Sequence, residues 1–256
     1  NLPAVKLLNG IGIDRMLTGA EALGIRSLDR GRDYYGLALT LGGGEITLLD
    51  AQVGRLLAQL DALGLADDTL VIYTSDHGDL CGGHGMVDKH YVMYDDVMRV
   101  PFIVRWPRLS AAGVAGAGVS CDAFVTTGPD LARTFCGLAG MSAPAGMAGQ
   151  DLLPLLRGAP GNREYAFGCY FGNQFGMYSQ RMVRDRYWKY IWNPTAEDEL
   201  YDLGTDPGEL HNLIASPAAA GELARLRTQL AAWLRQVPDP LYNAFTRQQL
   251  DQGEKL

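Results

Sequence analysis

The chain has 256 residues, enough for one sizeable domain or for a domain with a small appendage. Hydrophobic residues make up 47% of it and charged residues 20%, a composition that can bury a core and that excludes a disordered chain. The formal net charge of −7 excludes nucleic-acid binding driven by net charge. No apolar run approaches the ~20 residues that a membrane-spanning helix needs. The four cysteines are far apart, without metal or disulfide spacing, and favour a reducing compartment such as the cytoplasm.

The first half of the chain has the pattern of an α/β protein. We predict a short helix within residues 11–28 and a break at the three glycines 42–44. From Glu45 onward, apolar residues recur at helical spacing until Gly64, where a glycine after the last turn ends the helix. The run 69–74 is apolar and β-branched, which is typical of a strand buried on both faces.

Further along, residues 100–106 predict a second strand and residues 130–138 a helix closed by Gly140. After residue 157 the composition changes to short aromatic strands separated by polar turns, which predicts an antiparallel meander. The strands are predicted at 165–171, 178–184, 187–192 and 199–203. A helix should follow, with Ser216 as its N-cap and Pro217 in its first turn, and the tail after Asp239 is predicted to be loosely attached.

We therefore predict two parts, a larger α/β part over residues 1–157 and a smaller part over 158–256. The smaller part should combine an antiparallel sheet with one packed helix. Trp188, Tyr190 and Trp192 alternate along one predicted strand, so they favour a core face over a stacking platform for nucleic acid.

The segment after the first buried strand holds the best candidates for chemistry. Asp76 and His77 follow that strand directly, and sites in α/β sheets form beyond the carboxyl ends of strands. A carboxylate oxygen and a neutral imidazole nitrogen suit a divalent cation, and Lys89 could hold a sulfate or phosphate. His84, between glycines, is either a substrate contact or a loop residue. The competing interpretation is a polar loop in which His77 is merely hydrogen-bonded.

Several stretches, in a fixed order along the chain, resemble the type I sulfatases, metal-dependent sulfate-ester hydrolases of the alkaline phosphatase superfamily. The resemblance covers roughly residues 32–238. It is carried by Tyr34-Tyr35, the helix segment 49–57, the strand and turn 69–78, Lys89, the strand 99–104, Arg181 to Arg184, Lys189-Tyr190, the segment 199–203 and the segment 206–213.

The resemblance implies a fold, a reaction and roles for site residues. The fold would be the C-terminal part of an alkaline-phosphatase-like α/β sandwich, followed by a small antiparallel sheet with a packed helix. Asp76 and His77 match the pair that helps to hold the family's divalent metal, usually calcium. Lys89 matches the lysine that contacts the sulfate group, as a catalytic and substrate-binding residue. His84 lies in the loop between them and is carried as a catalytic candidate.

The family's nucleophile has no counterpart here. That residue is a Cys or Ser in a Cys/Ser-x-Pro/Ala-x-Arg motif, oxidised to formylglycine, and none of the four cysteines has this context. Ser142 comes nearest, but Gly146 stands where the motif needs Arg. The adjacent aspartates of the family are also missing, since Asp67-Asp68 and Asp95-Asp96 lie in turn or polar contexts.

We therefore expect the chain to be the C-terminal half of a sulfatase-like enzyme, inactive alone, with formylglycine in the missing N-terminal half. Its substrate would be a sulfated small molecule or sugar, and we expect neither nucleic acid nor a membrane as partner. Because unpaired strand edges invite pairing, the chain could also form a homo-oligomer. Two alternatives stay open, namely a phosphodiester or phosphonate monoester hydrolase of the same superfamily and a non-catalytic binding or assembly module.

Overall fold

The computed structural model of the chain describes residues 30–86, 88–108, 120–172 and 178–253, with the backbone alone over 30–45. The helix predicted within 11–28 lies outside these residues. The chain divides into two compact units, one of Asn1–Ala66 with Asp79–Asp88 and one of Asp67–Gly78 with Lys89–Leu256. The predicted boundary between residues 157 and 158 stays a prediction.

The described ranges contain helices and strands of both predicted kinds. The helices are α1 (Arg30–Ala62), α2 (Asp95–Met98), α3 (Thr127–Leu138), α4 (Leu153–Leu156), α5 (Ala220–Gln236) and α6 (Arg247–Asp251). The strands are β1 (Val71–Thr74), β2 (Phe102–Arg105), β3 (Ala166–Tyr170), β4 (Gln180–Arg184), β5 (Trp188–Trp192) and β6 (Glu199–Asp202). Short 3₁₀ turns occupy Ala66–Asp68, Gly83–Gly85 and Pro217–Ala219.

Helix α1 is longer than its sequence predicts. It runs without interruption through glycines 42–44, so the predicted break there is wrong. Each glycine costs about 1 kcal/mol relative to alanine in a helix, but it keeps its N–H and therefore does not interrupt the hydrogen-bond ladder. The predicted end is confirmed, because Gly64 has a φ of 66° and the Leu65 N–H donates to the Leu60 carbonyl at 3.0 Å.

Strands β1 and β2 form an antiparallel pair, with Val71 opposite Arg105 and Thr74 opposite Phe102. The prediction of a strand buried on both faces is wrong for β1 in this chain. Its first three residues are half-buried and Thr74 is exposed, since β2 is its only strand neighbour among the described residues.

The second sheet confirms the predicted antiparallel meander, in the order β3-β4-β5-β6. Its alternation gives it two different faces. One face packs on α5 through aromatic and aliphatic side chains that are fully or nearly fully buried, namely Val183, Tyr190, Trp192, Leu200, Leu226, Leu230 and Leu234. The predicted core role of the alternating aromatic residues of β5 is thereby confirmed for Tyr190 and Trp192.

The other face of this sheet packs on the segment that leads into α2. Met182, Ile191 and Tyr201 form a cluster with Met93, and Tyr94 and Tyr170 pack at its edge. The four-stranded sheet therefore supports the stretch of chain that begins at Lys89.

The chain end is packed more tightly than the sequence indicates. Arg181 donates to both carboxylate oxygens of Asp239, at 2.7 and 3.0 Å, and the Trp192 indole donates to Gln249 Oε1 at 3.0 Å. The prediction of a loose tail is therefore wrong up to α6.

Ser216 does precede the helical turn, but its side chain makes no capping hydrogen bond. Within the described ranges, none of the helices combines the length and the apolar character that a bilayer crossing requires.

Candidate functional site

The turn after β1 is organised by its own polar groups. Ser75 Oγ donates to the His77 carbonyl at 2.8 Å, and the His77 N–H donates to Asp76 Oδ1 at 3.0 Å. These bonds bend the chain immediately after the strand. They leave the Asp76 side chain 83% exposed and the His77 side chain 36% exposed.

The hydrogen bonds of the His77 ring define which nitrogen carries the proton. Nδ1 lies 2.8 Å from the Gly78 carbonyl, which can only accept, so Nδ1 is the protonated nitrogen. Lys89 Nζ lies 3.1 Å from Nε2 and donates to it. The ring therefore presents the Nε2 lone pair toward Lys89, and the structure brings these two predicted site residues together across 12 positions of sequence.

The Asp76 carboxylate lies close to the His77 ring. Its Oδ2 is 3.5 Å from His77 Nε2. The backbone N–H of His77 holds the pKa of the Asp76 carboxyl below its ordinary value, so the group is an anion at neutral pH. One carboxylate oxygen and one imidazole nitrogen thus face the same small volume, together with one ammonium group.

This donor set fits part of a divalent-cation site. A hard carboxylate oxygen and an unprotonated imidazole nitrogen are suitable ligands for such an ion, although the Nε2 lone pair accepts a hydrogen bond from Lys89 in this structure. They are two ligands, and among the residues that the structure describes no group of three or more His, Cys, Asp or Glu side chains could hold a metal ion. Calcium takes 6–8 oxygen ligands, so the remaining ones would have to come from elsewhere. The assignment of Asp76 and His77 as metal ligands stays a prediction.

Helix α2 packs directly against this turn. The Gly78 N–H donates to the Val97 carbonyl at 2.8 Å. A Cβ atom on Gly78 would overlap the Asp96 carbonyl oxygen, so only glycine allows this approach of the two backbones. The backbone contact with α2 therefore fixes the position of the turn that carries His77.

His84 belongs to the other compact unit. It lies in the 3₁₀ turn Gly83–Gly85 with a φ of 53°, a left-handed conformation that is uncommon for a residue with a side chain. Its role as a catalytic candidate stays a prediction.

A cavity of about 290 Å³ opens beside Lys89. It is lined mainly by apolar and aromatic side chains, among them Tyr91, Met93, Val97 and Tyr170. The rings of Tyr91 and Tyr170 are 5.5 Å apart between centroids. Cys169 also lines it, and burial raises the pKa of this thiol to about 11, so the reactive thiolate form is disfavoured at neutral pH.

One group of functional interest was missed by the sequence interpretation. Asp95 was placed in a polar context, but its side chain is 13% exposed and makes ion pairs with Arg184 and Lys189. Lys189 itself is fully buried. The signal in the sequence is a lysine between two aromatic residues of a strand, Trp188 and Tyr190, where an unpaired charge would be costly.

Comparison with known proteins places this chain in a family. Residues 82–236, more than half of the chain, match the family described as N-sulphoglucosamine sulphohydrolase, C-terminal. An N-acetylglucosamine-6-O-sulfatase of Bacteroides thetaiotaomicron is 30% identical over 216 residues, which are 81% of this chain and 36% of that protein. A Delta 4,5-hexuronate-2-O-sulfatase of the same organism is 32% identical over 75% of this chain and 40% of that protein.

Solved structures of similar proteins agree with this. A protein solved in complex with its substrate D-glucosamine-2-N,6-O-disulfate matches with a TM-score of 0.72 and 26% identity, over 89% of this chain and 46% of that one. The phosphonate monoester hydrolase of Agrobacterium radiobacter matches with a TM-score of 0.68 and 30% identity, over 77% of this chain and 42% of that one.

The chain spans 36% and 40% of the lengths of the two sulfatases named above. The matches nevertheless cover most of this chain, and the solved structures share its α/β fold with an antiparallel sheet and a C-terminal helix. The chain belongs to the type I sulfatase family of the alkaline phosphatase superfamily.

Proposed function

We propose that this chain is the C-terminal portion of an enzyme that hydrolyses sulfate esters with the help of a divalent metal, in the first place calcium. The observation that carries the proposal is the meeting of Asp76, His77 and Lys89 at the end of β1, with His77 Nε2 lying 3.1 Å from Lys89 Nζ and 3.5 Å from Asp76 Oδ2. Family membership gives this cluster its chemical context.

Each residue of the cluster has a definite task in this proposal. Asp76 and His77 Nε2 would be two of the ligands of the metal, and because Nε2 has one lone pair it would give up the hydrogen bond from Lys89 on binding the ion. A bound divalent cation supplies a Lewis acid that lowers the cost of negative charge on an ester or nucleophile oxygen. Lys89 places a positive charge where sulfuryl oxygens gain charge in the transition state. His84 is kept as a candidate contact to the substrate.

The nucleophile would lie outside this chain. No Cys/Ser-x-Pro/Ala-x-Arg motif occurs in the 256 residues, and the two similar sulfatases named above are more than twice as long as the part that matches. We therefore place the formylglycine in the portion of the enzyme that this chain does not span. On this proposal the chain alone does not turn over sulfate esters.

The substrate class we infer is a sulfated sugar. The support is that two similar proteins are named as sulfatases of N-acetylglucosamine and of a hexuronate, and that one similar structure contains glucosamine disulfate. A sugar ring has apolar C–H faces, and the aromatic lining of the cavity beside Lys89 suits such a face.

A second candidate is a phosphonate monoester hydrolase. It is favoured by the 30% identity to the Agrobacterium radiobacter enzyme, the same level as that to the N-acetylglucosamine-6-O-sulfatase. Sulfate and phosphonate esters have similar shapes, so Asp76, His77 and Lys89 suit either.

The test is a comparison of two substrates in the enzyme that carries this chain. The purified enzyme, supplied with calcium, is assayed against nitrophenyl sulfate and against a nitrophenyl phosphonate monoester. A higher kcat/KM for the sulfate, lost in Lys89→Ala, supports the sulfatase. A higher kcat/KM for the phosphonate selects the second candidate. Absence of turnover on both, in an enzyme whose formylglycine is verified by mass spectrometry, overturns the proposal and favours a binding module.

A further inference from the structure

Four charged side chains meet between the four-stranded sheet and the segment that follows Lys89. They are Asp95 at the start of α2, Arg184 on β4, Lys189 on β5 and Glu209 in the loop after β6. The side chains of Lys189 and Glu209 are 0% and 2% exposed, and those of Asp95 and Arg184 are each 13% exposed. Two positive and two negative groups are thus withdrawn from water together, with no net charge.

Lys189 and Glu209, the two most buried residues of this cluster, form hydrogen bonds with backbone atoms as well as with side chains. Lys189 Nζ donates to the Met93 carbonyl at 3.0 Å and to Asp95 Oδ1 at 2.5 Å. It is also ion-paired with Glu209 Oε1 at 2.6 Å. The Asp95 N–H donates to Glu209 Oε2 at 2.5 Å. The main chain is therefore held at Met93 and at Asp95, the two residues that flank the entry into α2.

The protonation of the cluster agrees with this arrangement. Burial raises the pKa of Asp95, but Lys189 and Arg184 outweigh it and lower that pKa overall. Burial raises the pKa of Glu209 above its ordinary value, and Lys189 opposes this only in part. Lys189 thus favours the charged form of both carboxylates.

Two further hydrogen bonds connect α2 to the candidate site. The Val97 carbonyl of α2 accepts the Gly78 N–H at 2.8 Å, and the Gly78 carbonyl accepts Nδ1–H of His77 at 2.8 Å. That second bond sets the direction of the ring and so aims Nε2 at Lys89. A displacement of α2 would move Gly78, and with it the acceptor that orients His77.

We propose that Lys189 and Glu209 are positioning residues, which fix α2 and thereby set the orientation of the His77 ring toward Lys89. They touch no reacting atom. A purely stabilising role would not require charge at this place, because well-packed apolar side chains stabilise a core as well as a buried ion pair does. What the charged groups add is hydrogen bonding to the backbone at Met93 and Asp95. The inference rests on the proposed function for what the site binds, but the geometry can be tested without it.

The first experiment uses the chain itself and measures two properties at the site. Amide hydrogen exchange of Gly78 reports the bond to α2, and ¹⁵N shifts of the His77 ring, at mildly alkaline pH, report the Nδ1–H tautomer. In Lys189→Met we expect Gly78 to exchange on the order of tenfold faster or more, and the ring to become a mixture of tautomers. The amides of β4 and β5 should keep their protection.

Asp239→Asn is the matched control, because it breaks another buried pair on the same sheet, that with Arg181. The side chains of that pair are 0% and 4% exposed. This variant should lower the melting temperature but leave the Gly78 exchange relative to the sheet, and the His77 tautomer, as in the wild type. If Lys189→Met and Asp239→Asn change both site measurements equally, or if neither changes them, the proposal is wrong.

Two milder variants keep the test decisive if Lys189→Met does not fold. Glu209→Gln can still accept the Asp95 N–H but cannot balance Lys189, so it should show the same changes to a smaller extent. Lys189→Met with Glu209→Gln removes one charge of each sign and should recover stability relative to Lys189→Met. We expect the site measurements of that double variant to stay altered, because the hold on Met93 is still absent. Recovery of the tautomer together with stability would overturn the proposal.

In the enzyme that carries this chain, the positioning role predicts a lower kcat with a smaller change in KM. A simple loss of folded enzyme would instead lower the amount of active protein, which titration of active sites detects. Should the enzyme have no sulfatase activity while the chain shows the expected exchange and tautomer changes, the proposed function fails and the positioning inference is supported. An unchanged kcat together with an unchanged tautomer in the Lys189→Met enzyme would contradict the inference, whereas an unchanged kcat with a disturbed tautomer would count against the role proposed for His77.

Discussion

Lys89 is the residue whose chemistry depends most on its neighbours. Its ammonium group lies 3.1 Å from a neutral ring nitrogen of His77. An ammonium group that donates to a neutral ring nitrogen keeps its positive charge. The proton on Nδ1, held by the Gly78 carbonyl, is what makes His77 an acceptor here.

Replacing Lys89 by Ala should therefore reduce transition-state stabilisation more than it reduces folding. We expect kcat/KM of the enzyme that carries this chain to fall by on the order of 10²–10³, as for the loss of one group that stabilises developing negative charge. Arg186→Ala is the control, since it removes another cation whose side chain is 58% exposed and pairs only with the exposed Asp122 among the ion pairs of the described residues. Wild-type kinetics for Lys89→Ala, measured beside that control, would show that the lysine belongs to a polar loop without function.

The two candidate metal ligands make a prediction for the isolated chain. Asp76 and His77 supply two donors where calcium takes 6–8, so calcium should bind weakly. Calorimetric titration is expected to show a dissociation constant above ~10⁻⁶ M, weaker than that of most dedicated calcium sites. Asp76→Ala should remove even this binding, and Asp79→Ala, a change at a neighbouring exposed carboxylate, should not. Submicromolar affinity would mean that further ligands come from this chain.

At the scale of elements, the contact between α2 and the site turn depends on the absence of a side chain. Gly78→Ala would push a Cβ atom into the Asp96 carbonyl oxygen, so one of the two backbones must shift. We expect a loss of about 1–3 kcal/mol in the free energy of unfolding, typical of overpacking. Gly221→Ala, in the first turn of α5 with open space around it, should instead gain about 0.4–1 kcal/mol. Urea unfolding of both variants gives the comparison, and equal effects would contradict it.

Helix α3 is tied to its surroundings by one buried carboxylate. Asp130 is 0% exposed and receives two hydrogen bonds from Arg163, at 2.6 and 2.8 Å. It also accepts the N–H groups of Thr126 and Gln150, at 2.7 and 2.8 Å. Burial raises the pKa of Asp130, but these donors outweigh it and lower the pKa overall.

A lowered pKa in the folded state fixes the sign of the pH dependence. The stability that Asp130 contributes is present above its ordinary pKa of 3.8 and is lost as the pH falls through the lower folded value. Asp130→Asn should therefore cost about 3 kcal/mol at neutral pH, and the difference from wild type should shrink in acid below the ordinary pKa. Asp122→Asn, at a pair in which both side chains are more than half exposed, should change the melting temperature little. A difference for Asp130→Asn that does not depend on pH would contradict this account.

The order of elements could be predicted from sequence because it depends on local patterns. Alternating aromatic residues indicated β5, and a glycine marked the end of α1. The burial of β1 could not be predicted in this way, since it depends on which strands lie beside it. Propensity alone predicts a break at glycines 42–44, but each glycine keeps its backbone N–H, so the helix continues through them.

The candidate site shows the same division between local and distant information. Asp76, His77 and Lys89 could be named because they lie within 14 consecutive positions and match one family. Asp95 and Lys189 could not, because 94 positions separate them and neither has a local motif. Only the fold brings them together, and a lysine between two aromatic residues of a strand was the one hint in the sequence.

At the scale of the whole molecule, α1 carries an apolar stripe that the described part of the chain leaves largely open to solvent. On α1, Ile46, Leu49 and Leu56 are 69%, 48% and 68% exposed, and Leu63, directly after the helix, is 60% exposed. With Val53 and Leu60, which are half-buried, they follow each other at intervals of three and four residues, the spacing at which two helices pack along a common seam. An exposed stripe of this length is unusual in a monomer, because large apolar patches are generally covered by a partner.

We therefore expect the isolated chain to associate with itself through α1. Light scattering over a wide range of concentrations should show dimers or larger species, because burying the stripe removes apolar surface from water at ~25 cal/mol per Å². Leu56→Glu should shift the equilibrium toward monomers, since it places a charge in the centre of the seam. Gln59→Glu adds the same charge to the same helix outside the stripe, so it should leave the association unchanged. A wild-type chain that stays monomeric at high concentration would show that the stripe is not a self-association surface. Equal effects of Leu56→Glu and Gln59→Glu on the association would show that the contact lies elsewhere.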